Sequence, residues 1–454
     1  MATDTNPSVA ITAWASVRES SGVPGPTTRF FGLSLLDWSL RELKSVVAEE
    51  SVLLLGDMTN AHAPSKGTAL GPHPLHDVSS LEGHLGTDLR PLVIVDEIVP
   101  LLRADTVRRV VEAHGRSGAS MTLLSGEVAR PFGYGRVVRQ RGRPLAIVEE
   151  REASPAQRKI REVSAGVYVF QKEPLFRVLE AIARDGSEDT RLSALLSYYR
   201  RHDLSVECLN IGVSPEVRAV KSRSELAELG CIMRQTKNEE LMASGVTLED
   251  PATTYVSPDV EVGSDTVLHP NVHLEGETRI GVACEIHAGV RIVNSVIGDR
   301  VTVNNHCVIV DSRVESGAVV GPFAHLRPES TVGADARVGN FVELKKTTLG
   351  PGSKASHLTY LGDATIGADV NIGAGTITCN YDGRQKHRTV VEDGAFIGSD
   401  SQLVAPVTVG RGAYVAAGSS ITEDVPAGAL GIARSRQVNK AGWVERSRPT
   451  HEED

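Results

Sequence analysis

The dominant pattern along the chain is a small aliphatic residue that returns every six positions, often with glycine behind it, through residues 332–422. It runs Val332-Gly333, Val338-Gly339, Leu344, Leu349-Gly350, Ala355, Leu361-Gly362, Ile366-Gly367 and Ile372-Gly373, and resumes at Ile397-Gly398, Leu403, Val409-Gly410, Val415 and Ile421. A period of six is neither that of a helix nor that of an alternating strand. It predicts a parallel β-helix of hexapeptide repeats, in which each hexad is one short flat strand plus a corner. Three hexads would close a triangular coil of about 18 residues, with the aliphatic heads filling a narrow core. Glycine follows the head because the backbone turns there and a side chain would crowd the coil above. A Gly/Val-rich β-sandwich with similar turn spacing is disfavoured by the strict register held from Ile397 to Ile421.

Hexads begin less regularly at Val262-Gly263 and pass through Ile280-Gly281, Ile297-Gly298 and Val320-Gly321. Residues 378–389, with Cys379-Asn380-Tyr381-Asp382-Gly383 followed by Arg384 to Arg388, cannot fill core positions and are expected to loop out from one corner. Excursions of this kind commonly carry function. The period ends after Glu423, and Arg434, Arg436, Lys440 and Arg446 make a mildly basic tail.

Upstream the pattern changes. Residues 51–55 and 92–95 are apolar runs of buried-strand length, while 106–114 and 175–184 carry apolar residues at helical spacing. Such alternation predicts a mostly parallel sheet covered by helices through about residue 220. The first strand-like run, 9–14, should be followed by a glycine-rich turn if it cradled phosphate. Only Gly22 and Gly25 are near, in no phosphate-binding order, and Lys66-Gly67-Thr68 and the glycines at 83 and 86 read as plain turns. Between the two halves, Leu226, Leu229, Met233 and Leu241 predict a helix over 221–244, stopped by Gly245 and Pro251.

At 454 residues, two domains are expected. The net charge of -9, with no long basic run, argues against nucleic-acid binding, and the 4% aromatic content suits a core of Val, Ile, Leu and Ala. Five cysteines (Cys208, Cys231, Cys284, Cys307 and Cys379) make no CxxC and no metal-ligand spacing, as in reduced thiols of a cytoplasmic protein. There is no secretory leader pattern and no run of apolar residues long enough for membrane insertion.

The densest polar set lies between Arg327 and Arg434. Arg327 and Lys345 stand one coil apart, and Lys386 in the excursion adds a third cation, an arrangement suited to holding a phosphate. His357, third in the Ala355 hexad, is suited to removing a proton from an amine. Tyr360, Asn371, Asn380 and Tyr381 supply hydrogen-bonding groups, and Ala374-Gly375 and Ala416-Ala417-Gly418 are small enough for a ligand to lie against the backbone. Solvated surface cations and tight solenoid corners are the plainer readings of the same residues.

The stretch VGNFVELKKTTLGPGSKASHLTYLGDATIGADVNIGAGTITCNYDG, continuing through IGSDSQLVAPVTVG, closely resembles the acetyltransferase domain of the GlmU family, with the match nearly continuous over 321–443. That family acetylates glucosamine-1-phosphate and then uridylylates the product to UDP-N-acetylglucosamine, a precursor of the bacterial cell wall. A weaker match covers Tyr134-Gly135-Arg136, Ile147-Val148-Glu149 and the linker from Glu240 to Pro251. The resemblance implies a Rossmann-like α/β nucleotidyltransferase-type domain over 1–220, a linker helix over 221–250, a left-handed β-helix over 251–425 and a tail over 426–454. It implies His357 as general base and Glu343 as a supporting carboxylate. Arg327, Lys345, Tyr360, Asn371 and Lys386 match positions that bind the sugar phosphate; Ala374, Asn380, Tyr381, Ser399, Ala417 and Arg434 match the acetyl-CoA set. Acetyl-CoA is the implied cosubstrate, the implied assembly is a homotrimer, and the acetyl transfer needs no metal.

The other half departs from the family's pattern. Residues 13–35 lack the glycine-rich signature and its phosphate-binding lysine. Ile98 stands where the family has a magnesium-binding aspartate, Ser214 replaces a second ligand, an asparagine, and Ser164 replaces an asparagine of the uridine-sugar pocket, although Glu149 is kept. A family helix is missing between Thr87 and Leu92. Asp57 and Asp96 are the carboxylates that could stand in. The expectation is an acetyltransferase acting on glucosamine-1-phosphate or a close amino-sugar phosphate, without uridyl transfer. Magnesium enters only if that second activity survives. The alternatives are a fully bifunctional enzyme and a non-catalytic partner of one.

Overall fold

The computed structural model describes residues 8–12, 28–30, 33–44, 46, 52–55, 68–70, 89–96, 98–184 and 191–447. The chain divides into two compact units, Met1–Met233 and Arg234–Asp454.

In the first unit the strands are β1 (Ser8–Thr12), a small hairpin of β2 (Arg29–Phe30) and β3 (Leu33–Ser34), β4 (Val52–Leu55), β5 (Thr68–Leu70), β6 (Leu92–Val95), β7 (Met121–Glu127), β8 (Arg136–Gln140), β9 (Arg143–Val148), β10 (Glu162–Phe170) and β11 (Val206–Val213). The main sheet has the order β11-β7-β10-β6-β1-β4-β5, with the β8–β9 hairpin attached to β10. Pairing is parallel from β6 through β1 and β4 to β5, but β10 runs antiparallel to both neighbours, so the sheet is mixed. The continuous apolar run of β6 reflects burial on both faces, since all four of its residues are buried. Helices Ala104–Ser117, Lys172–Arg184 and Leu192–Arg201 supply the apolar stripes that cover it.

The second unit is a left-handed parallel β-helix of about ten coils, with three faces of 11, 10 and 9 strands. Its first rung, Thr247–Leu248, pairs with Val267–Leu268, and its last, Leu430–Gly431, pairs with Tyr414–Val415. The hexad heads Val332, Val338, Leu344, Leu349, Ala355 and Leu361 are fully buried and stack on one another as the axial core. Each such valine or leucine side chain contributes about 1.5–3 kcal/mol through loss of water contact. A strict eighteen-residue coil is only partly realised: Glu285 pairs with Thr302, Arg337 with Lys354 and Lys354 with Asn371, each one residue short of that spacing. The helix Arg223–Ala243 ends on the first coil, where Asn238 donates to the carbonyls of Pro251 (2.9 Å) and Thr254 (3.0 Å).

The expected excursion is present. After Ile377–Cys379 the chain leaves the face, forms a bridge between Tyr381 and Lys386, and returns at Thr389–Val391. Its tip is closed from within. The Asp382 carboxylate accepts the backbone N–H groups of Gln385 and Arg384, both at 2.7 Å, and the His387 ring. The Gln385 N–H, then His387 and the Arg384 N–H, hold that carboxyl well below its ordinary range.

Candidate active site

The coil 337–357 sets out the chemistry. Register pairs Asn340 with His357, and the His357 Nδ1 lies 2.6 Å from Asn340 Oδ1. An amide oxygen accepts, so Nδ1 is the donor in this contact, and the His357 side chain is exposed to solvent. Asn340 carried no assignment in the sequence reading, because the two residues meet only where a coil is one residue short. Immediately after His357 the chain turns a corner at Leu358, in the left-handed region at φ 46°, as Phe323 and Phe341 do in the coils before it. The corner delivers Tyr360 three residues later, within about 11 Å of chain.

On this next face the cations gather. His325 pairs with Glu343 and Leu326 with Leu344, which places Arg327 over Lys345. Contact with the Lys386 ammonium, and its charge, pushes the Lys345 amine below its ordinary value, with smaller contributions from lost water and from Arg327; Asp363 acts in the opposite sense. Three positive groups therefore crowd one spot, and a dianionic phosphate is the kind of ligand that relieves such crowding. The Glu343 carboxylate accepts from Arg327 Nη1 at 2.8 Å, and the group that touches His357 is Asn340. Both Arg327 and Glu343 are more than a third exposed, so the pair orients the guanidinium more than it stabilises the fold.

Tyr360 and Asn380 converge above Gly362, where an added Cβ would stand 2.3 Å from the Tyr360 hydroxyl and 2.8 Å from Asn380 Nδ2. Asn380 is itself fixed by donating to Asp363 at 2.5 Å. Tyr381 is exposed on the excursion.

Three of the six residues matched to acetyl-CoA, Ala374, Ser399 and Ala417, fall into one column, while Asn380 and Tyr381 lie at the excursion. Beyond His357 the register continues through Ala355, Ile372, Ile397 and Val415, so that Ala374, Ser399 and Ala417 follow His357 coil by coil. The main-chain bonds Asp400 N–H to Ala374 O (2.7 Å) and Gly418 N–H to Ser399 O (2.8 Å) keep the column in step. The adjoining Gly373 and Gly398 lie flat against the next coil; a Cβ on Gly373 would meet the Ser399 nitrogen at 2.5 Å. Arg434 sits at the far end, its Cδ near the Gly418 position. Asn371 lies on the same face, one coil from Lys354.

The family described as bacterial transferase hexapeptide (six repeats) matches residues 388–423. The chain is 40% identical over 450 residues to the bifunctional protein GlmU of Pelobacter propionicus, covering 96% of this chain and 97% of that one. It is 42% identical over 435 residues to that of Trichlorobacter lovleyi, covering 92% and 93%, and 45% identical over 356 residues to that of Carboxydothermus hydrogenoformans, covering 78% and 80%. The chain belongs to the GlmU family. Membership makes it an enzyme, an acyltransferase with the glucosamine-1-phosphate N-acetyltransferase activity of that family.

The GlmU-type N-terminal unit holds a cavity of about 1140 Å³ lined by residues that include Arg130, Tyr134, Glu149, Ser214 and Lys221. Glu149 lines this cavity. Ile98 does not: it is 2% exposed and packed among Val95, Val99 and Val107. The Ser214 hydroxyl accepts the Glu216 N–H at 3.3 Å as the cap of the short turn Pro215–Val217. The Ser164 hydroxyl is buried against the Tyr168 hydroxyl (3.1 Å) and accepts the Gly166 N–H (3.2 Å). At the two positions that the resemblance assigns to magnesium, an aliphatic side chain and a capping hydroxyl do not fit that ion, which requires several oxygen ligands. Asp57, the turn at 15–25 and the stretch between Thr87 and Leu89 lie outside the described residues. Among the described helices none is long and apolar enough to cross a membrane.

Proposed function

We propose that the β-helix transfers the acetyl group of acetyl-CoA to the 2-amino group of glucosamine-1-phosphate or a close amino-sugar phosphate, and that the N-terminal unit does not transfer uridylate. The observation that carries the first part is the pairing of His357 with Asn340 at 2.6 Å beside the Arg327, Lys345 and Lys386 cluster. In this reading the three cations hold the phosphate, and Tyr360 and Asn371 orient the sugar. His357 Nε2 takes a proton from the amine as its nitrogen attacks the thioester carbonyl carbon. The new C–N bond creates a tetrahedral oxyanion, for which main-chain N–H groups along the small-residue column are the available donors. Collapse breaks the C–S bond, and the thiolate leaves with the proton returned by His357. Ala374, Ser399 and Ala417 form the floor on which the pantetheine arm lies, with Asn380, Tyr381 and Arg434 at its sides. The described solenoid forms one wall of that groove, in keeping with a homotrimer whose subunits complete each site.

Thiol release from acetyl-CoA that depends on glucosamine-1-phosphate, and is lost in His357→Ala, tests this reading. Ile98 and Ser214 support the second part. The full-length similarity to bifunctional relatives favours the other reading, with both activities kept. UTP consumption by the purified protein with magnesium and N-acetylglucosamine-1-phosphate separates the two: turnover would establish the bifunctional enzyme.

A further inference from the structure

Well before the acetyl-transfer coils, a second polar cluster is built on the first rungs of the β-helix. Glu249, His269 and His287 occupy one register position in three successive coils, as the bonds from Glu249 N–H to Leu268 O (3.0 Å) and from His269 N–H to Ile286 O (3.0 Å) fix them. Glu285 lies two residues before His287 on the same strand face, since alternate residues share a side. The consequence is close approach. His269 Nε2 is 3.2 Å from Glu285 Oε1, His287 Nε2 is 3.6 Å from the same oxygen, and the two imidazoles stack with centroids 4.5 Å apart. One ligand atom from each of His269, Glu285 and His287 lies within 4.8 Å of the others.

We infer that His269, Glu285 and His287 bind one divalent cation of the zinc class, with Glu249 holding His269 in place. Zinc takes imidazole nitrogens and carboxylate oxygens at about 2.0–2.2 Å, which sets neighbouring donors roughly 3.4 Å apart in a tetrahedron. The two edges through Glu285 already have that length. The third closes by a rotation of partly exposed rings. Two imidazoles select zinc, cobalt or nickel over magnesium and calcium, which prefer oxygen throughout. A metal-bound histidine characteristically gives its other ring N–H to a carboxylate. Here Glu249 Oε2 stands 3.0 Å from His269 Nδ1, the contact that arrangement requires. Glu285 is about half exposed, which leaves room for water as a fourth ligand. The cation joins the second coil to the third, and through Glu249 the first, so its role is to clamp the start of the solenoid. A protonated His269 bridging two carboxylates is the competing account of the same contacts.

The test uses untagged full-length protein, stripped with EDTA and dialysed against zinc in excess magnesium, with bound metal measured per chain. One zinc per chain at micromolar free metal is expected, together with a rise in melting temperature. His287→Ala and Glu285→Gln should each weaken binding at least tenfold and abolish that rise, and Glu249→Gln should weaken it about 10–100-fold. His273→Ala, whose ring stacks on Tyr255 outside the cluster, should bind as the parent does. Glu285→Gln keeps the side chain's shape on an exposed position, so its loss of binding reports on the ligand atom and not on folding. No binding below millimolar zinc in the parent, or unchanged binding in Glu285→Gln and His287→Ala, overturns the site in favour of the bridged imidazolium.

Discussion

At the scale of single residues, the proposed acetyl transfer rests on one imidazole, His357, and the amide of Asn340 in contact with it. Replacing His357 by alanine should lower kcat for acetyl transfer by about 10²–10⁴-fold while leaving acetyl-CoA binding intact. Asn340→Ala is expected to act through the ring: kcat falls, KM for the sugar phosphate changes little, and the acid limb of the kcat profile moves. An unchanged pH profile with lower thermal stability would reduce Asn340 to a structural residue. His114 titrates for a different reason. It is 4% exposed, its Nδ1 lies 2.9 Å from Thr122 Oγ1, and burial lowers its pKa from 6.5 to about 4. The unfolded chain therefore binds the proton first, so stability present above about pH 6.5 should be lost as the pH falls toward 4, by about 3 kcal/mol at most. Urea unfolding of the N-terminal unit's signal across that window measures it, and His114→Leu should flatten the slope.

At the scale of elements, each coil couples core to site, because an inward head separates two outward functional groups. Leu344 is fully buried between Glu343 and Lys345, so Leu344→Ala should cost about 2–5 kcal/mol and raise KM for the sugar phosphate as the cation cluster loosens. Lys386→Ala should raise that KM about tenfold without changing acetyl-CoA affinity, which steady-state kinetics at fixed ionic strength would show. The hexad heads and their glycines made the solenoid readable from sequence, because a six-residue period has few other structural explanations. The Arg327–Lys345 stack was readable for the same reason. The Asn340–His357 contact was not, since it depends on a coil one residue short of eighteen, and the pairing of Glu343 with Arg327 depends on side-chain rotamers. The histidines at 269 and 287 share the eighteen-residue spacing of Arg327 and Lys345, but they lie where the hexads are irregular, so the sequence does not fix their register. In the first unit no strict period exists, and the antiparallel placement of β10 in a largely parallel sheet follows from long-range pairing.

At the scale of the whole molecule, the proposed reading assigns different fates to the two units. The β-helix sets His357 in line with the small residues 374, 399 and 417 and places Arg327 over Lys345 on the next face, while in the first unit Ile98 is a core residue and Ser214 caps a short turn. In the proposed reading the first unit keeps its fold, with Ile98 in the core and Glu149 lining a cavity, without transferring uridylate. The direct measurement of the central claim is thiol release by the full chain supplied with acetyl-CoA and glucosamine-1-phosphate, run beside His357→Ala, with UTP and magnesium added afterwards. The account predicts sugar-phosphate-dependent release that collapses in the variant and no pyrophosphate on adding UTP. Release that persists in His357→Ala, or its absence from a parent protein that binds acetyl-CoA, would contradict the assigned base or the assigned acceptor, and pyrophosphate formation would contradict the loss of uridyl transfer.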